Sequence, residues 1–118
     1  MSTGTQTILS CRVEQHGDAT VVRVAGEIDR WTEDDFAQAV DESMRGRPTR
    51  LTVDLRDVTF MGTSGLRVLV EAQHETQRMR IVLGVVPGRG VARRSLEITG
   101  LDQMLRVFPT VAEALARA

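Results

Sequence analysis

The chain has 118 residues with 15 basic and 16 acidic side chains, for a formal net charge of −1. That length makes one domain around a single core. The near-neutral balance gives no basic excess for nucleic acid and no acidic tail, and an aromatic content of 3% leaves little for base stacking. Every basic residue is Arg, which removes Schiff-base and P-loop lysine chemistry, and no apolar run approaches a membrane span.

The opening MSTGTQT lacks the charged-then-apolar pattern of a signal peptide, so a cytoplasmic location without membrane attachment is expected. Cys11 is the single cysteine. It excludes an internal disulfide and fits a reducing compartment. Its main reading is a small buried side chain, with a reactive thiol as the alternative.

Residues 1–6 are small and polar and read as a flexible N-terminus, leaving 7–118 as the domain. Thr7–Glu14 alternates Leu9, Cys11 and Val13 with Ile8, Ser10 and Arg12, a strand pattern. His16-Gly17-Asp18 signals a turn, and the Val-rich Thr20–Ile28 completes a hairpin. Glu27 and Asp29 then fall at the C-terminal end of a strand. Their two readings are turn-forming residues on a solvated rim and contacts at a ligand-gathering sheet edge. Thr32 with Asp35 makes a capping pattern for a helix to about Met44, with Phe36, Ala37, Val40 and Met44 inward. Trp31 reads as a core aromatic or an exposed anchor, the core being preferred.

After the polar loop Arg45–Arg50, Leu51, Val53 and Leu55 alternate with Thr52 and Asp54, and Val58, Phe60 and Met61 continue the apolar signal. Gly62-Thr63-Ser64-Gly65 forms a tight turn. Gly65, Val68, Leu69, Ala72, Thr76 and Met79 then share one helical face, opposite Arg67, Glu71, Glu75 and Arg78. Two hydroxyls thus stand at a helix N-terminus, where N–H groups lack partners and the dipole favours negative charge. They either cap the helix or offer a phosphate site.

Arg80–Val86 reads as a strand buried on both faces. Pro87-Gly88-Arg89-Gly90 breaks it, and a helix follows over Val91–Thr99, ended by Gly100. Arg93 stands where a dinucleotide fingerprint needs its third glycine. Arg89, Arg93 and Arg94 cluster, as a solvated face or as an anion contact. Leu105–Phe108 is a last short strand, and Thr110 with Glu113 caps a final helix over Val111–Ala118. The order is β-β-α-β-α-β-α-β-α. It predicts an α/β fold in which an N-terminal β-hairpin is followed by alternating helices and strands. These form a mixed sheet with helices packed on it, parallel beyond the hairpin with right-handed crossovers.

One Cys and the distant His16 and His74 make no metal cluster. A nucleophile elbow needs glycine two places after the serine, where Leu66 stands, and no His follows His74, so no catalytic residues are expected. No cofactor is implied.

The run Phe60-Met61-Gly62-Thr63-Ser64-Gly65-Leu66 resembles the Phe-Met-Asp-Ser-Ser-Gly-Leu loop of STAS domains, within them the small anti-sigma factor antagonists. Gly26-Glu27-Ile28-Asp29 is similar to their Gly-Glu-Leu-Asp stretch, Asp54 matches an acidic position of the family and reads as structural rather than catalytic, and the element order agrees along nearly the whole chain. The resemblance implies a STAS domain over 7–118 that regulates transcription by partner switching. Its partner would be an anti-sigma factor with serine kinase activity, reset by a serine phosphatase. Ser64 matches the phosphorylated serine, with Thr63 as second candidate. Glu27, Asp29, Met61, Gly62, Thr63, Ser64, Gly65, Leu66 and Arg67 would contact the partner. Gly62 departs from the family's usual Asp. The departure keeps a second expectation open, a non-phosphorylated STAS scaffold or sensor acting through constitutive protein or small-ligand contacts.

Overall fold

The computed structural model describes residues 9–116. The expected flexible 1–6, the start of the first strand at Thr7 and Ile8, and the helix end at 117–118 lie outside the described residues. The elements are β1 (Leu9–His16), β2 (Ala19–Ile28), α1 (Glu33–Arg45), β3 (Arg50–Met61), α2 (Thr63–Met79), β4 (Val82–Val86), α3 (Val91–Thr99), β5 (Arg106–Val107) and α4 (Val111–Ala116). They build one sheet in the order β1-β2-β3-β4-β5. The β1–β2 hairpin is antiparallel, and every later pairing is parallel. Helices α1, α2 and α3 therefore each carry the chain back to start the next strand in the same direction.

Alternation along the strands sorts side chains to two faces. On one face Val22, Val24, Leu51, Val53, Leu55, Leu83 and Val85 meet Phe36 and Val40 of α1, Leu69 and Ala72 of α2, and Leu96 of α3. Phe36 and Leu69 are fully buried, and each such side chain contributes about 1.5–3 kcal/mol through burial. On the other face Val21 and Val86 pack under Val111 and Ala114 of α4. The middle of β3 is covered on both sides, so Thr52 and Asp54 are buried along with Leu51, Val53 and Leu55.

A buried carboxylate needs partners. Asp54 has them: Arg23 Nη1 donates to Oδ2 at 2.7 Å, and Arg56 donates through Nε, Nη2 and its backbone N–H at 2.9, 2.8 and 3.1 Å. Glu14 of β1 in turn accepts from Arg23 Nε at 2.9 Å. Burial alone would raise the Asp54 carboxyl. The hydrogen bonds and charge of Arg56, with the charge of Arg23, outweigh it and hold the group below the usual carboxylate range.

Four expectations are corrected. Trp31 is 78% exposed rather than in the core; the turn at the end of β2 carries it off the sheet before α1 begins. Thr32 makes no side-chain cap bond to α1. Its hydroxyl instead donates to the Glu27 carbonyl at 2.8 Å and accepts from the Asp29 N–H at 3.0 Å. The fourth strand starts at Val82, because Arg80 sits at φ 62 and ends α2 in the left-handed conformation. The fifth shrinks to Arg106–Val107, since a 3₁₀ turn at Leu101–Gln103 takes the chain up to Leu105. The Thr110 cap does form, its hydroxyl accepting from the Glu113 N–H at 3.0 Å.

Candidate functional site

Parallel pairing puts the C-terminal ends of β2 and β3 side by side. Glu27 is in register with Phe60 and Ile28 with Met61, and the Gly62 N–H donates to the Ile28 carbonyl at 2.9 Å. The chain then turns straight into α2. A Cβ on Gly65 would lie 2.7 Å from Ile28 Cγ2. Real contacts do not come that close, so only glycine lets the first turn of α2 rest on Ile28.

Gly62 is the N-cap of α2, in an extended conformation with no side-chain cap bond. The hydroxyl-cap reading is thereby corrected: Thr63 and Ser64 are the first two helical residues. Their N–H groups precede the Gly65 N–H, which donates to the Gly62 carbonyl at 3.1 Å. No acidic residue lies in the first turn of α2, so no acid of the helix itself offsets the positive end of its dipole. Ser64 is only 5% exposed, whereas Thr63 is exposed.

The expected contact residues divide by burial. Met61, Gly65 and Leu66 are buried and hold the turn in place from beneath. Glu27, Thr63 and Arg67 are exposed, and Asp29 and Gly62 are half-buried. The Asp29 Oδ1 accepts from the N–H groups of Trp31 and Thr32 at 2.9 and 3.1 Å, which makes it the organiser of its own turn. Arg67 reaches Glu33 at the start of α1, 3.6 Å away.

Two aromatics are exposed at this edge, Trp31, whose exposed reading was the less preferred one, and Phe60, which sequence reasoning missed. Trp31 lies under the Arg30 guanidinium, 5.1 Å from the ring centroid. Phe60 is 50% exposed, with its ring 3.4 Å from where a Cβ on Gly62 would stand. The spacing from Val58 to Met61, both inward, was the available signal that β3 does not alternate strictly here. Elsewhere, burial, with a smaller effect of Asp35, pushes the Cys11 thiol up and so works against a reactive thiolate. Among the described residues no group of three His, Cys, Asp or Glu side chains could hold a metal ion, and no helix is long and apolar enough to cross a membrane.

A five-stranded mixed sheet with an N-terminal hairpin, three helices on one face, and a glycine-hydroxyl turn opening the central helix defines the class: a STAS fold. The STAS domain family matches residues 10–114. The anti-sigma-F factor antagonist RsfB of Mycobacterium tuberculosis is 35% identical over 107 residues, covering 91% of this chain and 87% of RsfB. The crystal structure of an anti-sigma factor antagonist from Mycobacterium paratuberculosis superimposes with a TM-score of 0.84 at 34% identity, covering 91% of each chain. The anti-sigma factor antagonist SpoIIAA in its unphosphorylated form shares the fold at 17% identity, with a TM-score of 0.67 over 90% of this chain and 93% of its own. The chain belongs to the STAS domain family, among its anti-sigma factor antagonists.

Proposed function

We propose that this chain binds an anti-sigma factor through the edge formed by Glu27, Asp29 and the Gly62–Arg67 turn, and that phosphorylation of Ser64 ends that binding. The anti-sigma factor acts as the serine kinase, a phosphatase restores the free hydroxyl, and the chain is a substrate that supplies no catalysis. The observation that carries the reading is the position of Ser64 at the second residue of α2, beside the end of β2, with no acid in the first helical turn.

The physics is sufficient. A phosphoryl group adds about −1.5 to −2 charges. A hundredfold loss of affinity needs only about 3 kcal/mol, and a dianion desolvated without a partner at an interface costs at least about that. In the free domain the N-terminus of α2 stabilises the phosphate by about 0.3–1 kcal/mol. Both effects favour release. The low exposure of Ser64 means that the first turn of α2 must loosen for the kinase to reach it.

A second reading, constitutive binding without phosphorylation, is favoured by that burial and by Gly62 in place of the family's acid. Pull-down from source-cell cytosol with wild type and Ser64→Glu separates the two. Capture of an ATP-binding serine kinase by wild type and its loss with the variant supports the switch. Equal capture by both baits supports the scaffold. Phosphosite mapping of the same material distinguishes Ser64 from the more exposed Thr63.

A further inference from the structure

On the helical face of the sheet a groove of about 470 Å³ runs between α1 and α2. Val40 and Met44 line it from α1, and Val68 and Ala72 from α2. Its rim carries the carboxylates of Asp41, Glu71 and Glu75 against the guanidinium of Arg45. Glu75 is already paired with Arg78. Asp41 and Glu71 enter no ion pair among the described residues. The groove is thus apolar below and negative above.

The opposite surface occurs on the same chain. Val91 and Ile98 of α3 are 37% and 77% exposed. Arg94 lies between them at helical spacing, on the same side of the helix. Arg93 is tied to Glu97 at 3.0 Å, while Arg94 enters no ion pair among the described residues. At 1.5 Å per residue the stripe from Val91 to Ile98 is about 10 Å long, and the α1 wall from Ala37 to Arg45 is about 12 Å. Length, polarity and sign match.

We propose that the α1–α2 groove receives α3 of a second copy of this chain. Val91 and Ile98 lie on the apolar floor, and Arg94 lies between Asp41 and Glu71. Both surfaces belong to helices on one face of the sheet, so association either closes as a two-fold dimer or continues copy to copy. No residue of the Gly62–Leu66 turn lines the groove, so on the copy that provides the groove that turn lies outside the contact.

Sedimentation velocity across concentrations tests this. The contact is small, so wild type should self-associate weakly, with Kd on the order of 100 μM. Glu71→Arg and Arg94→Glu should each weaken association at least about tenfold by setting like charges together. Their equimolar mixture should recover it to within about threefold of wild type, because the unchanged groove of the Arg94→Glu copy then meets the unchanged α3 of the Glu71→Arg copy, and the two substituted surfaces are opposite in charge. Ile98→Ser should also weaken it. All three positions are exposed, and unchanged melting temperatures confirm that the variants fold. A wild type that stays monomeric up to about 1 mM overturns the proposal. So do variants that associate like wild type, or a mixture that fails to recover.

Discussion

Two strand-to-helix turns lie at the same edge of the sheet, Gly62–Gly65 before α2 and Pro87–Gly90 before α3. Both helices start on a glycine N-cap without a side-chain cap bond, and neither has an acid in its first turn. They differ in what holds them. At the first, Gly65 presses on Ile28 and Ser64 is packed in place. At the second, a Cβ on Gly90 would meet nothing within 4 Å, and exposed Arg89, Arg93 and Arg94 surround the helix start. An uncapped helix end is therefore not in itself a site. The first turn fixes a hydroxyl by packing and has no acidic residue of its own. The second offers cations and nothing to modify.

The largest expected effect lies beneath both turns. Asp54 sits in the strand that feeds the first turn, and its partner Arg56 backs the second, its Cα 3.1 Å from where a Cβ on Gly88 would lie. Asp54→Ala takes the carboxylate from Arg56 and one of two from Arg23, which keeps Glu14, and should cost about 3 kcal/mol, the low end for a broken buried pair because both cations keep contact with water. Urea unfolding measures it, and a loss under about 1 kcal/mol would show that the network is ornamental. The pH dependence has a defined sign. A carboxyl held below its unfolded value stabilises fully above that value, about 3.9, and the stabilisation fades as pH falls through the folded one. The gap between wild type and Asp54→Ala should narrow as pH drops from about 5 toward 2.

The next effect separates the turns directly. Gly65→Ala should destabilise by about 1–3 kcal/mol through overpacking against Ile28. Gly90→Ala meets no neighbour and should cost less, about 0.5–1 kcal/mol for the loss of a glycine N-cap. Equal losses in thermal unfolding would contradict the difference in how the two turns are held.

Much of this arrangement was legible in the sequence, for identifiable reasons. Gly65, Val68, Leu69, Ala72 and Thr76 repeat at helical spacing over a 17-residue helix, and all are buried. The hairpin and the parallel order followed from turn residues and alternation, and the shared edge of Glu27 and Ser64 followed from that order. What was hidden had no periodic signal. Trp31 is one aromatic in a turn, and nothing in its neighbours tells core from surface. Two register shifts in the β2–β3 pairing, between Arg23 and Ala25 and between Gly26 and Glu27, turn Phe60 outward where the apolar run suggested an inward residue. The spacing of Thr32 and Asp35 suits a cap, but the Thr32 hydroxyl was claimed by the Glu27 carbonyl behind it. Alternation at Thr52 and Asp54 carries no sign that this polar face is buried, because α4 and Arg23, which help cover it, come from distant parts of the chain.

The smallest effect is the most informative about the site. Gly62 sits at φ −85, open to any residue, and an added Cβ would meet Phe60 at an ordinary 3.4 Å. The fold does not require glycine here, in contrast to Gly65 three residues on. Gly62→Asp should therefore fold normally. A carboxylate at the N-cap accepts from the free N–H groups and lies at the positive end of the dipole, so stability should rise by about 0.3–1 kcal/mol. The gain should shrink in high salt, because the dipole contribution is screened. A loss of stability would mean that Phe60 closes over the turn more tightly than its exposure shows. A gain would mean that this chain forgoes a stabilising residue at the cap of a closely packed turn. That pattern is expected where a position answers to a partner rather than to the fold.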